Sequence, residues 1–190
     1  MQKRSQYLIG AGALAAGILL VKMRSRQHLP LPTVPAVDLE RYAGQWYEIA
    51  AFPQWFERGC HSTTAHYTLQ DGYVEVQNVC RKGGPHGKLK TARGKAFPVP
   101  GSHNAKLKVQ FFWPFTGDYW ILSLPEDYSY ALVGTPDRQS LWILSRKPHL
   151  PYAIYDRLVS KAQELGFDTS RLRVTDQSAF LTPPALSAAE

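Results

Sequence analysis

The chain has no acidic residue before Asp38, only two cysteines, and no uninterrupted apolar run of the length that ordinarily crosses a bilayer. Each shortage excludes something. Without early acids, Lys3, Arg4, Lys22, Arg24 and Arg26 stand unopposed and account for most of the formal net charge of +7. The rest of the chain carries 17 basic residues against 15 acidic ones, a net of +2. A surface built on attraction to phosphate is therefore not expected, and nucleic acid is set aside as a partner. The apolar run Tyr7–Val21, YLIGAGALAAGILLV, is short against the roughly 17–25 residues of a full span and matches a signal-peptide core in length. Its cleavage-like triplet, Ala13-Leu14-Ala15, lies inside the run and not after it. Residues 1–26 are thus read as a signal or anchor segment that reaches a membrane and leaves the domain outside the cytoplasm. Also missing are Gly-x-Ser-x-Gly, a phosphate-cradling glycine loop and His-Glu-x-x-His, so no enzyme, metal or other cofactor is expected.

What is present fits one domain. The chain has 190 residues, 44% of them hydrophobic, enough for a single core. Cys60 and Cys80 flank an Asp71-Gly72 turn, and folding the chain back there sets them at nearly the same height on neighbouring strands. A bridge between them is expected in an exported protein, with two buried free thiols as the alternative. Closing that loop contributes roughly 3 kcal/mol in the chain-entropy model. His61 and His66 lie near Cys60, but His66 faces outward if Ala65 and Tyr67 face inward, which argues against a metal cluster.

Pro30, Pro32 and Pro35 make residues 27–36 an extended spacer. The stretch Asp38–Phe56, DLERYAGQWYEIAAFPQWF, then runs from an acidic-capped turn through Gly44 into Trp46 and Tyr47. Gly44 permits a sharp bend, and an indole there serves as a floor plate for a core. Short alternating runs follow, separated by turns. Thr63–Leu69 and Tyr73–Val79 make a hairpin, and Lys90–Val99 sets small Ala92, Gly94 and Ala96 opposite Thr91, Arg93 and Lys95. In Ala105–Phe112, the apolar Leu107, Val109 and Phe111 alternate with Lys106, Lys108 and Gln110. Tyr119–Leu124, Tyr130–Val133 and Leu141–Leu144 are apolar on both faces, which requires a cover outside the sheet. Ile154, Leu158, Ala162 and Leu165 recur at helical spacing between Pro151 and Gly166 and supply one. Arg171–Thr175 adds a short strand, and Ser178–Glu190 reads as a disordered tail. The fold class is all-β: an eight-stranded antiparallel up-and-down barrel with one C-terminal helix outside and a short ninth strand.

Over residues 37–177 the chain resembles the lipocalin family, and within it the bacterial outer-membrane lipocalins related to apolipoprotein D and plant temperature-induced lipocalins. Gly44-Gln45-Trp46 matches the family's first motif, Glu126-Asp127-Tyr128 is similar to the second, and Arg146 in LWILSRKP matches the third. The runs YAGQWYEIA, WFERGC, GKAF, LKVQFFWPF, EDYSYALVG and GFDTSRL resemble the bacterial branch. The resemblance implies that Arg146 lies over Trp46 at a closed barrel end, a structural pair with Gly44. The opposite end is then open to a fatty acid, lysophospholipid or similar amphiphile. Bacterial members are usually lipidated on a cysteine ending the signal peptide, and no cysteine lies near residue 21. An uncleaved Tyr7–Val21 would hold the barrel at a membrane instead, which favours the inner membrane, with the barrel in the periplasm, over the alternatives of the outer membrane or an exported soluble form.

The expected ligand-binding wall takes Leu107, Val109 and Phe111 directly from their alternation with polar residues. Phe56, Ala65, Tyr67, Val76, Ala92, Ala96 and Val133 follow from period-two phase together with the barrel that the resemblance implies. Tyr119, Ile121 and Trp142 rest on the resemblance, because alternation leaves their phase undecided. The Tyr67 and Tyr119 hydroxyls either bond a head group or are satisfied by the barrel. The expected function is lipid carriage or storage at the bacterial cell envelope; the alternative is an enzyme or a haem or pigment binder on the same barrel. Homodimerisation is left open.

Overall fold

Asp38 starts the fold. Its carboxylate accepts from the backbone N–H groups of Glu40 and Arg41 at 2.9 and 3.3 Å, closing a single helical turn, α1 (Leu39–Tyr42). Gly44 follows at φ +88°, a left-handed conformation that a side chain resists, and turns the backbone into β1 (Gly44–Ala51). In the computed structural model, residues 30–181 are described, apart from the side chain of Phe56.

The strands after β1 are β2 (Cys60–Gln70), β3 (Tyr73–Lys82), β4 (Lys88–Pro98), β5 (Lys106–Phe112), β6 (Phe115–Ser123), β7 (Tyr130–Gly134) and β8 (Leu141–Ser145). Each pairs antiparallel with its predecessor, and β1 pairs with both β8 and β2, so the sheet closes into a barrel. β6 starts four residues earlier than the apolar run suggests, because Phe115 pairs back onto Phe112 in a tight hairpin. The up-and-down course puts α1 and the β2–β3, β4–β5 and β6–β7 connections at one end. The β1–β2, β3–β4, β5–β6 and β7–β8 connections ring the other.

Strands β6 to β8 bury both faces. Ile121, Ala131, Val133 and Leu144 join the inner core with Trp46, while Leu122, Leu132, Leu141 and Ile143 pack outward. The outward set meets α2 (Tyr152–Glu164) through Leu158 and Ala162, with Ile154 and Leu165 at the margins. Pro151 sits one position ahead of the helix, as its N-cap, and Gly166 at φ +86° follows its C-cap. The expected late strand is the two-residue β9 (Arg173–Val174), paired with Ala50 and Ala51 of β1.

Two expected boundaries change. Over its described part, residues 30–36, the expected spacer is extended but docked, since Leu31 is buried and Val34 packs against the inner core. The backbone N–H of Val34 donates to the Ile121 carbonyl, and that of Val37 to the His103 carbonyl, both at 2.9 Å. The prolines keep the segment extended, and Leu31, Val34 and Val37, three positions apart, hold it to the barrel. At the other terminus, Ser178–Leu181 of the expected tail forms a helical turn, α3, whose Phe180 ring meets Tyr47 edge-on at 5.1 Å. The expected anchor, residues 1–26, and the remainder of the tail lie outside the described residues. No helix among the described residues is long and apolar enough to cross a membrane.

Candidate functional site: a barrel sealed at one end

At the α1 end, the Arg146 guanidinium lies 3.9 Å from the Trp46 ring centroid. It also donates to the carbonyls of Arg41 at 2.7 Å, Gln45 at 2.9 Å and Tyr128 at 3.4 Å. The indole N–H donates to the Tyr42 carbonyl at 2.8 Å. Stacking and four hydrogen bonds thus join α1, β1 and the β6–β7 connection into a plug.

Above it sits a tyrosine trio. The Tyr67 hydroxyl donates to the Tyr119 oxygen at 3.1 Å, and the Tyr119 and Tyr42 hydroxyls share a second bond of 2.7 Å. Burial pushes all three phenols up, Tyr67 to about 12, so none ionises near neutrality. Of the two alternatives open for the Tyr67 and Tyr119 hydroxyls, bonding within the barrel is the one the structure shows. Their third member, Tyr42, was not among the expected site residues, although it lies four positions before Trp46 in the capped turn.

Of the expected wall, Ala65, Tyr67, Val76, Ala96, Leu107, Val109, Phe111, Tyr119, Ile121, Val133 and Trp142 come together in or against the inner core. Ala92 faces the same way by register, opposite Asn78 of β3, which is itself opposite Ala65 of β2. Phe56 falls in a single turn of 3-10 helix, Trp55–Glu57, and its side chain is not described. Asn78 is an inner-wall residue that the expected set lacked, though the phase of Val74 and Val76 points to it. Its Oδ1 is buried with no hydrogen-bond partner among the described residues.

The wall divides by access. Trp46, Tyr42, Tyr67, Val76, Ala96, Leu107, Ile121 and Val133 are at most 5% exposed, so the α1 end is sealed. Ala65, Asn78, Ala92, Val109, Phe111, Tyr119 and Trp142 are inward-facing yet only partly buried. Trp142 stacks on Tyr119 at 6.4 Å between centroids, at the border of the two zones. Near the open end the Cys60–Cys80 disulfide, with Cα atoms 5.5 Å apart, ties β2 to β3. Burial pushes the Glu57 carboxyl up to about 8; Glu48 adds to the rise and Lys90 opposes it. The surrounding rim exposes Trp55, Leu89, Phe112, Trp113 and Phe115. Among the described residues, no three His, Cys, Asp or Glu side chains gather where they could hold a metal ion.

A closed antiparallel barrel, plugged at one end by an Arg–Trp stack and lined towards the other by partly exposed inward-facing residues, has the form of a calyx. The Lipocalin-like domain model matches residues 37–177, and the chain belongs to the lipocalin family. It is similar to temperature-induced lipocalin-1 of Arabidopsis thaliana, 43% identical over 163 residues that cover 81% of this chain and 86% of the relative. It is also similar to the outer membrane lipoprotein Blc of Vibrio cholerae, 41% identical over 155 residues, covering 78% and 89% of the two chains. Insecticyanin of the tobacco hornworm Manduca sexta shares the fold at a TM-score of 0.62 and 22% identity, over 80% of this chain and 88% of that one. The bacterial and plant relatives are those that the sequence motifs indicate. Small hydrophobic ligands are what this family binds.

Proposed function

We propose that this lipocalin binds and carries or stores a fatty acid, lysophospholipid or similar amphiphile at the bacterial cell envelope. The access gradient along the inner wall carries the reading. Inward-facing residues are sealed beside the Arg146–Trp46 plug and accessible towards the opposite rim, which is the form of a cup. Small Ala65 and Ala92 leave room in it, and apolar Val109, Phe111 and Trp142 line it. Each buried methylene of an acyl chain contributes roughly 0.8 kcal/mol, so a long chain reaches micromolar affinity with few polar contacts. Exposed Trp113, Phe112 and Phe115 at the rim suit a protein that draws amphiphiles from a lipid surface. The name of the Vibrio cholerae relative supports an envelope location. The Tyr7–Val21 segment supplies the proposed tether, with the inner membrane preferred.

Organic extraction of the purified protein, followed by mass spectrometry, tests the reading. Co-purified acyl lipids are expected, whereas a visible absorbance band or turnover of bound lipid sinks it. Trp142→Ala weakens lysophospholipid binding while the domain stays folded; unchanged affinity in the folded variant removes Trp142 from the site.

A further inference from the structure

β4 and β5 are paired from Lys95–Gln110 to Pro98–Leu107. Towards the open end, Lys88–Gly94 of β4 pairs with β3 alone, while Phe112 turns to Phe115 of β6. The two strands therefore part below the rim. On the outer wall the parting opens into a cleft of about 360 Å³, where outward-facing Glu75, Arg93 and Gln110 and the exposed Trp113 of the β5–β6 turn meet Gly94 and Phe111. Those last two are inner-wall residues by strand phase, and Phe111 packs against the inner core. At this point the wall is one side chain thick.

Gly94 is what lets it be so thin. A Cβ there would stand 2.7 Å from the Gln110 carbonyl oxygen and 2.8 Å from Phe111 Cδ1, so the ring lies where another residue's side chain would begin. Phe111 thus occupies the parting. The surroundings are basic: from Glu75 to Asp118 no acidic residue intervenes, while eight lysines and arginines do. Arg93 and Lys95 outnumber Glu75 in the cleft, and no ion pair among the described residues engages either.

We propose that this cleft is a lateral head-group site: an amphiphile whose acyl chain lies in the calyx passes Phe111 at the β4–β5 parting and sets an anionic phosphate or carboxylate against Arg93. The inference rests on the lipid-carrier reading. The chain stays dry while the charged head stays wet, which avoids the cost of burying an ion. Arginine's fork of donors matches an oxyanion, and the Trp113 indole offers an amphipathic face to the atoms between head and chain.

The test uses the full-length protein and two probes with the same oleoyl chain: anionic oleoyl-lysophosphatidylglycerol and neutral mono-oleoylglycerol, titrated by calorimetry below their aggregation concentrations. Arg93→Gln weakens the anionic probe roughly tenfold, the scale of one charge-assisted contact, and leaves the neutral probe within about twofold. Glu75→Gln tightens the anionic probe alone. Phe111→Ala speeds release of both. Unchanged anionic affinity in Arg93→Gln, or equal weakening of both probes, overturns the site and leaves the carrier reading standing. A wild-type protein that binds neither probe overturns the carrier reading and the site with it.

Discussion

Arg146 does more than cover an indole. Its three carbonyl acceptors belong to α1, β1 and the β6–β7 connection, so removing it unpairs backbone groups in each as well as ending the stack on Trp46. Arg146→Ala is expected to cost about 2–3 kcal/mol in urea denaturation, with ligand affinity preserved. Lysine recovers little, because a point charge cannot serve three acceptors and a ring face together. A loss of affinity at unchanged stability would move Arg146 into the ligand site. Glu57 offers a second residue-scale test. With its carboxyl raised from 4.5 to about 8, chiefly by burial, the folded protein holds a proton that the unfolded chain releases. Between those values the unfolded state binds fewer protons, so stability falls as pH rises. Glu57→Gln is expected to flatten that fall, measured as urea midpoints near pH 5 and pH 8.5; an unchanged slope assigns it to other groups, such as the buried Glu48. At this scale the sequence is uneven to read. Trp46 and Arg146 are legible because a motif places them together from a hundred residues apart. Asn78 is legible by phase alone, and the Tyr42–Tyr119 bond is not, because no local pattern reports a contact across the barrel floor.

Among the elements, the C-terminal segment behaves as a clasp. β1 pairs with β2 only through Gly44–Tyr47, and β9 takes over at Ala50 and Ala51. Where the strands part, Gln177 Nε2 donates to the carbonyls of Glu48 and Thr63 at 2.7 and 2.9 Å, bridging β1 and β2 from the side. The Thr175 hydroxyl bonds the Glu48 carboxyl, and the Ser62 backbone N–H donates to the Asp176 carbonyl at 2.7 Å. Gln177→Leu removes both hydrogen bonds and is expected to cost about 1–3 kcal/mol. Limited proteolysis should then cut after Arg173 faster than in the wild type. A variant as stable and as resistant as wild type would show that β9 alone holds the seam. The long periodic elements, β3 to β5 and α2, were legible because burial repeats along them at period 2 or 3.6. The docked N-terminal segment and α3 were not. Each is held by one or two apolar side chains on an element too short to repeat, and composition alone reads such segments as linker or tail.

For the molecule as a whole, the division into a sealed half and an open half makes ligand binding a local event. The plug, the tyrosine trio and the outer layer under α2 form contiguous cores that no ligand needs to enter, whereas the accessible wall lies on β2 to β6 and around Trp142. A saturating amphiphile stabilises the folded state by mass action, about 2.7 kcal/mol at a free concentration one hundred times Kd. That stabilisation lowers exchange through global unfolding everywhere, but amides that open locally respond only where ligand bridges the opening unit. β4 above Gly94 is such a unit, since there it pairs with β3 alone. Hydrogen exchange of the full-length protein with and without oleate is therefore expected to slow most for Lys88–Gly94 and the β5–β6 hairpin. Change around α1 and β7 should be limited to the uniform global term. Protection concentrated at α1 would mean that the ligand enters past the plug, and the polarity assigned to the cup would have to be reversed.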